Sequence, residues 1–171
     1  MEMNIETEAH VVVGIGVSDD GVGAFGRVLD ELGTLPRLSI VCVHNFNQVS
    51  PSKWLEDLVA RSSLNIAVPQ NESPLEPGLV YVCPPNQRVQ IRGGSVLIEP
   101  LPEEDGESSV FDTFLHSLAE DQGKFAVGIE LSGKGTLSKI GLQSILAHGG
   151  MAFTRDSVSG QLDSMQILSS E

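Results

Sequence analysis

Ser18 and His44 are the two side chains whose type and position could carry out nucleophilic chemistry. Each follows an apolar, β-branched run, "VVVGIGV" before the serine and "LSIVCV" before the histidine. The carboxyl ends of parallel strands share one edge of an open α/β sheet, where ligands bind. A serine and a histidine at adjacent strand ends can reach hydrogen-bonding distance, as a base-activated nucleophile requires. A third segment, "LSGKGTLS", follows the strand-like run "FAVGIEL" and belongs to the same edge.

Structural roles are also open to these residues. A serine at the entrance of a helix is typical of an N-cap, and Asp19 and Asp20 beside Ser18 strengthen that interpretation. A single histidine after a buried strand often serves only packing. The "GIG" turn is similar to a dinucleotide-binding loop, but its third glycine is missing and the two aspartates would repel a pyrophosphate.

The elements that position these residues alternate between strand and helix. Continuous apolar runs such as His10 to Val17 suit strands that helices cover on both faces. Between them, apolar residues recur at helical spacing, first from Val22 to Leu32 with Gly33 as the stop. Further predicted helices lie around Trp54 and Leu58, Phe111 and Leu118, and Ile140 and Leu146, with strands at Leu64–Val68 and "MAFT".

The middle of the chain departs from this alternation. We interpret "GLVYVCPP", "RVQIR" and "SVLIEP" as short strands of an antiparallel hairpin or meander, followed by an acidic loop from Leu101 to Ser108. The last segment, from Ser157 onward, gives no firm assignment. The sequence therefore predicts a doubly wound α/β fold, a mainly parallel, Rossmann-like three-layer sheet with a small antiparallel β-hairpin insertion.

Composition restricts the class of function. The 171 residues carry 23 acidic and 10 basic side chains, a net charge of −13, which disfavours nucleic acid as a partner. No apolar run is long enough to span a bilayer, and "MEMNIETEAH" lacks a secretory signal, so we expect a cytoplasmic protein without membrane insertion. Cys42 and Cys83 lie in apolar runs typical of buried thiols, so we expect neither a disulfide nor a metal site nor any cofactor.

The order of these landmarks resembles the catalytic domain of CheB-type chemotaxis protein-glutamate methylesterases. The resemblance rests on the serine turn "GVSDDG", the strand that ends in "VHN", the hairpin entry "PGLVYVCPP", and the glycine turn followed by a helix and "HGG". It covers almost the whole chain. It implies one domain over residues 1–171 without a receiver domain, and we expect residues 1–9 to form a flexible tail.

The family resemblance implies hydrolysis of γ-glutamyl methyl esters on chemoreceptor helices by a Ser-His-Asp triad. Ser18 then matches the nucleophile and His44 the general base. The family's third segment reads roughly L-T-G-M-G-x-D-G, so Leu137 stands at the position of the acid and Lys134 at that of the methionine. A leucine cannot orient the histidine or stabilise its imidazolium, a loss of ~10⁴-fold in turnover in the Ser-His-Asp template.

Three other carboxylates are candidates for a substitute acid. Asp19 and Asp20 follow the serine directly, and Glu130 lies near the end of the strand that precedes the loop. The two aspartates also place negative charge where acyl transfer develops an oxyanion, which opposes that chemistry. The sequence therefore predicts a divergent methylesterase-like domain with weakened or lost hydrolase activity. The alternative is a non-catalytic domain that docks receptor helices, a methyltransferase or another domain of a multidomain sensor protein.

Overall fold

The structure is a computed structural model that describes residues 10–34, 37–46, 48–102, 107–131, 139–155 and 165–167, with the side chains of 107–109, 155 and 165–167 excepted. The strands are β1 Val11–Val17, β2 Leu38–His44, β3 Asn65–Ala67, β4 Ser73–Pro74, β5 Leu79–Val82, β6 Gln87–Arg92, β7 Ser95–Pro100, β8 Ala126–Glu130, β9 Met151–Arg155 and β10 Met165–Ile167. The helices are α1 Val22–Leu32, α2 Pro51–Arg61, α3 Glu107–Gln122 and α4 Lys139–Ala147, with short 3-10 helices at Asp19–Gly21 and Gly123–Phe125.

The main sheet has seven strands in the order β10-β9-β8-β1-β2-β5-β3. The six strands from β9 to β3 are parallel, and β10 alone pairs antiparallel, with β9. The long apolar runs of β1 and β2 occupy its centre, where both faces are buried. This arrangement confirms the predicted mainly parallel α/β sheet.

Two helical layers cover the sheet. The apolar faces of α1 and α2 pack on one side through Phe25, Leu29, Trp54 and Leu58, which share a core with Ile15 of β1. On the other side α3 and α4 form a second core whose buried members include Phe114, Leu115, Leu118, Leu142 and Ile145. Since the helices lie on both faces, the predicted doubly wound, three-layer fold is confirmed.

The glycines of β1 let α3 approach the sheet closely. A Cβ added to Gly14 would lie 2.6 Å from Cε1 of Phe114, and one added to Gly16 would collide with the ring of Phe111. The "GIG" glycines therefore make room for the aromatic side chains of α3. They do not form the open backbone cradle that a dinucleotide loop provides.

The prediction for the middle of the chain was partly wrong. A small antiparallel sheet exists, in the order β4-β7-β6, and its β6–β7 hairpin matches the predicted insertion. However, β5 belongs to the main sheet, parallel to both β2 and β3. In addition, α3 begins at Glu107, so the last two residues of the predicted acidic loop are helical.

Both cysteines are free and buried, each in a different core cluster. Burial raises the pKa of the Cys83 thiol to about 12. These thiols are therefore protonated packing groups, as predicted. No helix in the described ranges combines the length and the apolar content that crossing a membrane would require.

Candidate functional site

The candidate site lies at the carboxyl ends of β1 and β2. The two strands run in register with Val17 opposite His44, and the Asn45 amide donates to the Val17 carbonyl at 3.2 Å. Ser18, which follows Val17, therefore lies directly after the end of the strand that pairs with the strand ending in His44. The chain leaves β1 for α1 on one face and β8 for α4 on the other, so the β1–β8 boundary is the topological switch point where such sheets bind ligands.

Ser18 holds an N-cap position only through its backbone. Its carbonyl accepts from the Gly21 amide at 2.9 Å and opens the 3-10 helix Asp19–Gly21, whereas Gly21 is the N-cap of α1. Its hydroxyl makes no capping hydrogen bond, so the interpretation of the side chain as a helix cap was wrong. The Oγ atom is instead buried without a hydrogen-bond partner in the described structure.

His44 is buried, with 9% of its surface exposed. Burial lowers the pKa of His44 from its ordinary 6.5, and a hydrogen-bonding interaction with the backbone of Cys83 opposes that shift. Its Nδ1 atom has no hydrogen-bond partner in the described part of the chain. The lowered pKa favours the uncharged form of His44 at neutral pH, and no acceptor among the described residues meets a proton on Nδ1.

Two aromatic side chains that the sequence did not connect to the site hold the His44 ring. Phe46 stacks on it with ring centroids 4.5 Å apart, and Trp54 meets it edge-on at 5.6 Å. Phe46 and Trp54 also contact each other at 4.9 Å. An aromatic residue two positions after the histidine was the available sequence signal, but the contact with Trp54 depends on how α2 packs.

The candidate substitute acids do not reach Nδ1 of His44, since that atom has no partner. Asp19 is directed to the loop before α2, where its two carboxylate oxygens accept from the backbone amides of Gln48 at 3.1 Å and Val49 at 3.2 Å. Asp20 is exposed. Glu130 is 2% exposed at the end of β8, opposite Gly16 of β1. Asp19 thus has a structural role that the sequence did not indicate.

Leu137 and Lys134 lie outside the described residues, as does the rest of the segment 132–138. Their match to the family's acid and methionine positions stays a prediction from the sequence. Within the described ranges, no group of three or more His, Cys, Asp or Glu side chains is arranged to hold a metal ion.

Two cavities open beside His44. One has a volume of about 400 Å³ and is lined by residues that include Asn45, Phe46 and Val110. The other has a volume of about 370 Å³ and is lined by residues that include Leu55, Val68 and Val82. His44, Pro51, Pro84 and Pro85 line both cavities, which we therefore treat as one feature, the His44 groove.

The arrangement supplies only part of an acyl-transfer site. The serine and the imidazole belong to the ends of adjacent strands, but Oγ of Ser18 makes no hydrogen bond to His44 or to any other described residue. Attack by Ser18 would also require the imidazolium to form in a buried, aromatic environment. None of the carboxylates in the described ranges bonds to Nδ1 to stabilise that charge.

Comparison with known proteins identifies a family for this chain. The model of the CheB methylesterase family matches residues 13–167. A relative from Leptospira interrogans is 26% identical over 149 residues, which are 86% of this chain and 77% of that protein. Protein-glutamate methylesterase/protein-glutamine glutaminase 1 of Carboxydothermus hydrogenoformans is 31% identical over 154 residues, 85% of this chain but 44% of that protein.

The fold has a counterpart among solved structures. The crystal structure of the Thermotoga maritima CheB methylesterase catalytic domain superimposes with a TM-score of 0.70 at 22% identity, over 84% of this chain and 78% of that one. The sequence resemblance, the family match and the fold agree. The chain therefore belongs to the CheB methylesterase family.

Proposed function

We propose that this chain is a divergent protein-glutamate methylesterase domain, related to chemotaxis receptor demethylation, whose hydrolase activity is weak or lost. The observation that carries the proposal is the buried Nδ1 of His44 without an acceptor. In the Ser-His-Asp template the acid sets the tautomer of the histidine and stabilises the imidazolium, and its loss costs ~10⁴-fold in turnover. Leu137 at the family's acid position supports the same proposal from the sequence.

The serine turn also disfavours hydrolysis, for a second reason. Its backbone N–H groups would stabilise an oxyanion, yet Asp19 and Asp20 bring two acidic side chains to this turn. Asp19 also binds the backbone of the loop that leads into α2. Replacing Asp19 to remove its negative charge would therefore also disturb this loop. The chain would therefore keep the family's cleft while losing its chemistry.

The test is hydrolysis by the purified chain of a receptor that carries methyl-esterified glutamates, with methanol release as the readout. Ser18→Ala is the matched control, and an active CheB methylesterase is the positive control. We expect the wild-type rate to lie within about tenfold of the Ser18→Ala rate. A serine–histidine dyad without its acid retains little of the rate enhancement that the complete triad provides. Turnover of roughly 1 s⁻¹ or more that disappears in Ser18→Ala would contradict the proposal.

A second candidate function is non-catalytic docking of receptor helices, a methyltransferase or another domain of a parent sensor protein. The observation in its favour is that the His44 groove stays open although the chemistry beside it is damaged. Co-purification with methylated receptor fragments at equal strength for wild type and Ser18→Ala would support docking. Binding that requires an intact Ser18 would count against it.

A further inference from the structure

A second groove, the α1–α2 groove, lies between the two helices on one face of the sheet and has a volume of about 270 Å³. Three of the side chains that line it are buried core members, Leu29 of α1 and Trp54 and Leu58 of α2. Among the described residues, its lining has no member in common with the His44 groove. The α1–α2 groove is therefore a separate feature of the surface.

Two glycines on α1 leave one side of the α1–α2 groove open. Gly23 and Gly26 both line it, and a Cβ added to either would meet no other part of the described chain within 4 Å. By contrast, a Cβ added to Gly141 of α4 would lie 2.9 Å from atoms of Asp112 and Leu115. A glycine inside a helix costs about 1 kcal/mol relative to alanine. Packing within the described chain explains Gly141 but not Gly23 and Gly26, which leave the α1 backbone accessible to a second molecule.

Four exposed charged side chains also line the α1–α2 groove, two of each sign: Arg27 and Asp30 on α1, and Asp57 and Arg61 on α2. None of the four makes a side-chain hydrogen bond or ion pair with another described residue. The whole chain has 23 acidic and 10 basic residues, so this balance of charge is not general. A net charge of −13 makes two copies of the chain repel each other, whereas the groove carries both signs in equal number.

The order of these charges makes the α1–α2 groove complementary to itself. The two helices run in the same direction, because each follows a strand of the parallel sheet and packs on the same face. Along that direction α1 presents Arg27 before Asp30. On α2 the order is reversed, with Asp57 before Arg61.

A two-fold contact brings the same patch of two molecules face to face. A two-fold axis parallel to the helices would set α1 of one copy against α2 of the other, and Arg27 against Asp57. An axis across the helices would set each helix against its own counterpart, and Arg27 against Asp30. In both arrangements opposite charges meet, so the patch suits a second copy of this chain.

We propose that the α1–α2 groove is a self-association surface, which binds the same groove of a second copy of this chain. Each helix has 11 residues and is therefore only ~16 Å long. Contacts of this size belong to the weak class of protein interfaces, so we expect a reversible dimer with a Kd of about 10–100 μM. The His44 groove stays open in both copies, since it shares no described lining residue with this surface.

Sedimentation velocity of the purified chain between about 2 and about 500 μM tests the association. We expect a monomer at the lowest concentration and a dimer at the highest. A monomer throughout the range would overturn the inference.

Two substitutions with the same change of net charge test the surface. Arg27→Glu should raise the Kd of the dimer by about tenfold or more, because a two-fold axis repeats the new repulsion twice. Arg92 is exposed and lines a different cavity, beside α3. Arg92→Glu should change the Kd by less than about threefold. Equal weakening by both variants would show a general charge effect and would refute the assignment to this groove.

Two double variants show which helices face each other. Arg27→Glu combined with Asp57→Arg should restore the wild-type Kd if α1 faces α2, and Arg27→Glu combined with Asp30→Arg should restore it if α1 faces α1. All three positions are exposed, so the variants should keep the fold, which circular dichroism checks. Rescue by either double variant supports the inference. Rescue by neither would refute charge complementarity as its basis.

Discussion

His44 ends the strand next to the one that leads to Ser18, His116 contacts Ser144, and these two histidines differ in nearly every other respect. His44 is buried at a strand end, and its Nδ1 has no partner. His116, on α3, is exposed and fully paired: its Nδ1 lies 2.8 Å from Oγ of Ser144, and its Nε2 lies 3.1 Å from Oε1 of Glu120. Among the described residues, a serine, a histidine and an acid are therefore joined by direct contacts at His116 and not at His44.

The difference shows that position and environment, more than the set of side chains, define a site. Ser144 lies inside α4, where backbone N–H groups are bonded within the helix and cannot stabilise an oxyanion. The His116 and Glu120 side chains are 57% and 62% exposed, so water screens their pairing. The turn at Ser18 has the strand-end position, but no acid in the described part of the chain bonds to Nδ1 of His44.

Supplying the missing acid should have the largest effect. Leu137→Asp is expected to raise Ser18-dependent ester hydrolysis by up to ~10⁴-fold, because a carboxylate at this family position can orient His44 and stabilise its imidazolium. Asp19 is kept, since it binds the loop before α2. Leu137→Asn, similar in size but uncharged, is the control and should gain far less. Equal gains in both variants, or none, would refute the missing charge as the limiting factor.

Lowering the pH should destabilise the folded protein through protonation of His44. Because burial lowers the pKa of His44 in the folded state, the unfolded state binds its proton more readily. The free energy of unfolding should therefore fall as the pH drops through 6.5, by at most about 1.4 kcal/mol per pH unit for this group, and level off below the folded-state pKa.

Urea unfolding between pH 7.5 and 5 of wild type, His44→Phe and His116→Gln measures this contribution. His44→Phe should lose less stability on acidification than wild type, and His116→Gln serves as the comparison that removes a different imidazole. His10, whose pKa burial also lowers, is present in all three proteins and cancels in the comparison. Parallel pH profiles for wild type and His44→Phe would contradict the assignment.

Trp54 emission should report the protonation of His44. A protonated imidazole in contact with an indole quenches its fluorescence, and the two rings lie 5.6 Å apart. Emission of the wild type should decrease on acidification with a midpoint below 6.5, while the folded state persists. His44→Phe should remove the transition and His116→Gln should keep it. A midpoint above 6.5 would argue for a carboxylate near the ring.

The smallest effect is expected at Ser144. Ser144→Ala removes an exposed contact with His116 and should change the free energy of unfolding by no more than about 0.5 kcal/mol. It should also leave reaction with serine-directed phosphonate reagents unchanged, with Ser18→Ala as the comparison. A loss of labelling in Ser144→Ala would show that His116 and Glu120 activate Ser144 as a nucleophile.

The sequence predicted the layers of the fold well, because buried parallel strands and amphipathic helices leave strong local patterns in runs such as Val11–Val17. It misplaced β5, a strand of four residues next to Pro84 and Pro85, because local pattern does not state which sheet a short strand joins. It placed Ser18 and His44 at the ends of adjacent strands, and the parallel register of β1 and β2 agrees with that placement.

The finer structure of the site depends on partners distant in sequence. Asp19 binds the amides of Gln48 and Val49, about thirty residues further along the chain. The aromatic contacts of His44 similarly require α2 to bring Trp54 over the end of β2. No local motif encodes either arrangement, so the roles of Asp19 and Trp54 emerge only from tertiary packing.

The central claim, that no acid partners His44, is tested most directly by nuclear magnetic resonance of its imidazole. Wild type labelled with ¹⁵N-histidine is compared with His44→Phe for assignment and with Leu137→Asp as the acid-bearing reference. We predict a pKa for His44 below 6.5 and no strongly downfield Nδ1 proton in wild type, with such a proton appearing in Leu137→Asp. A downfield Nδ1 proton and a pKa above 6.5 in the wild type would contradict the account.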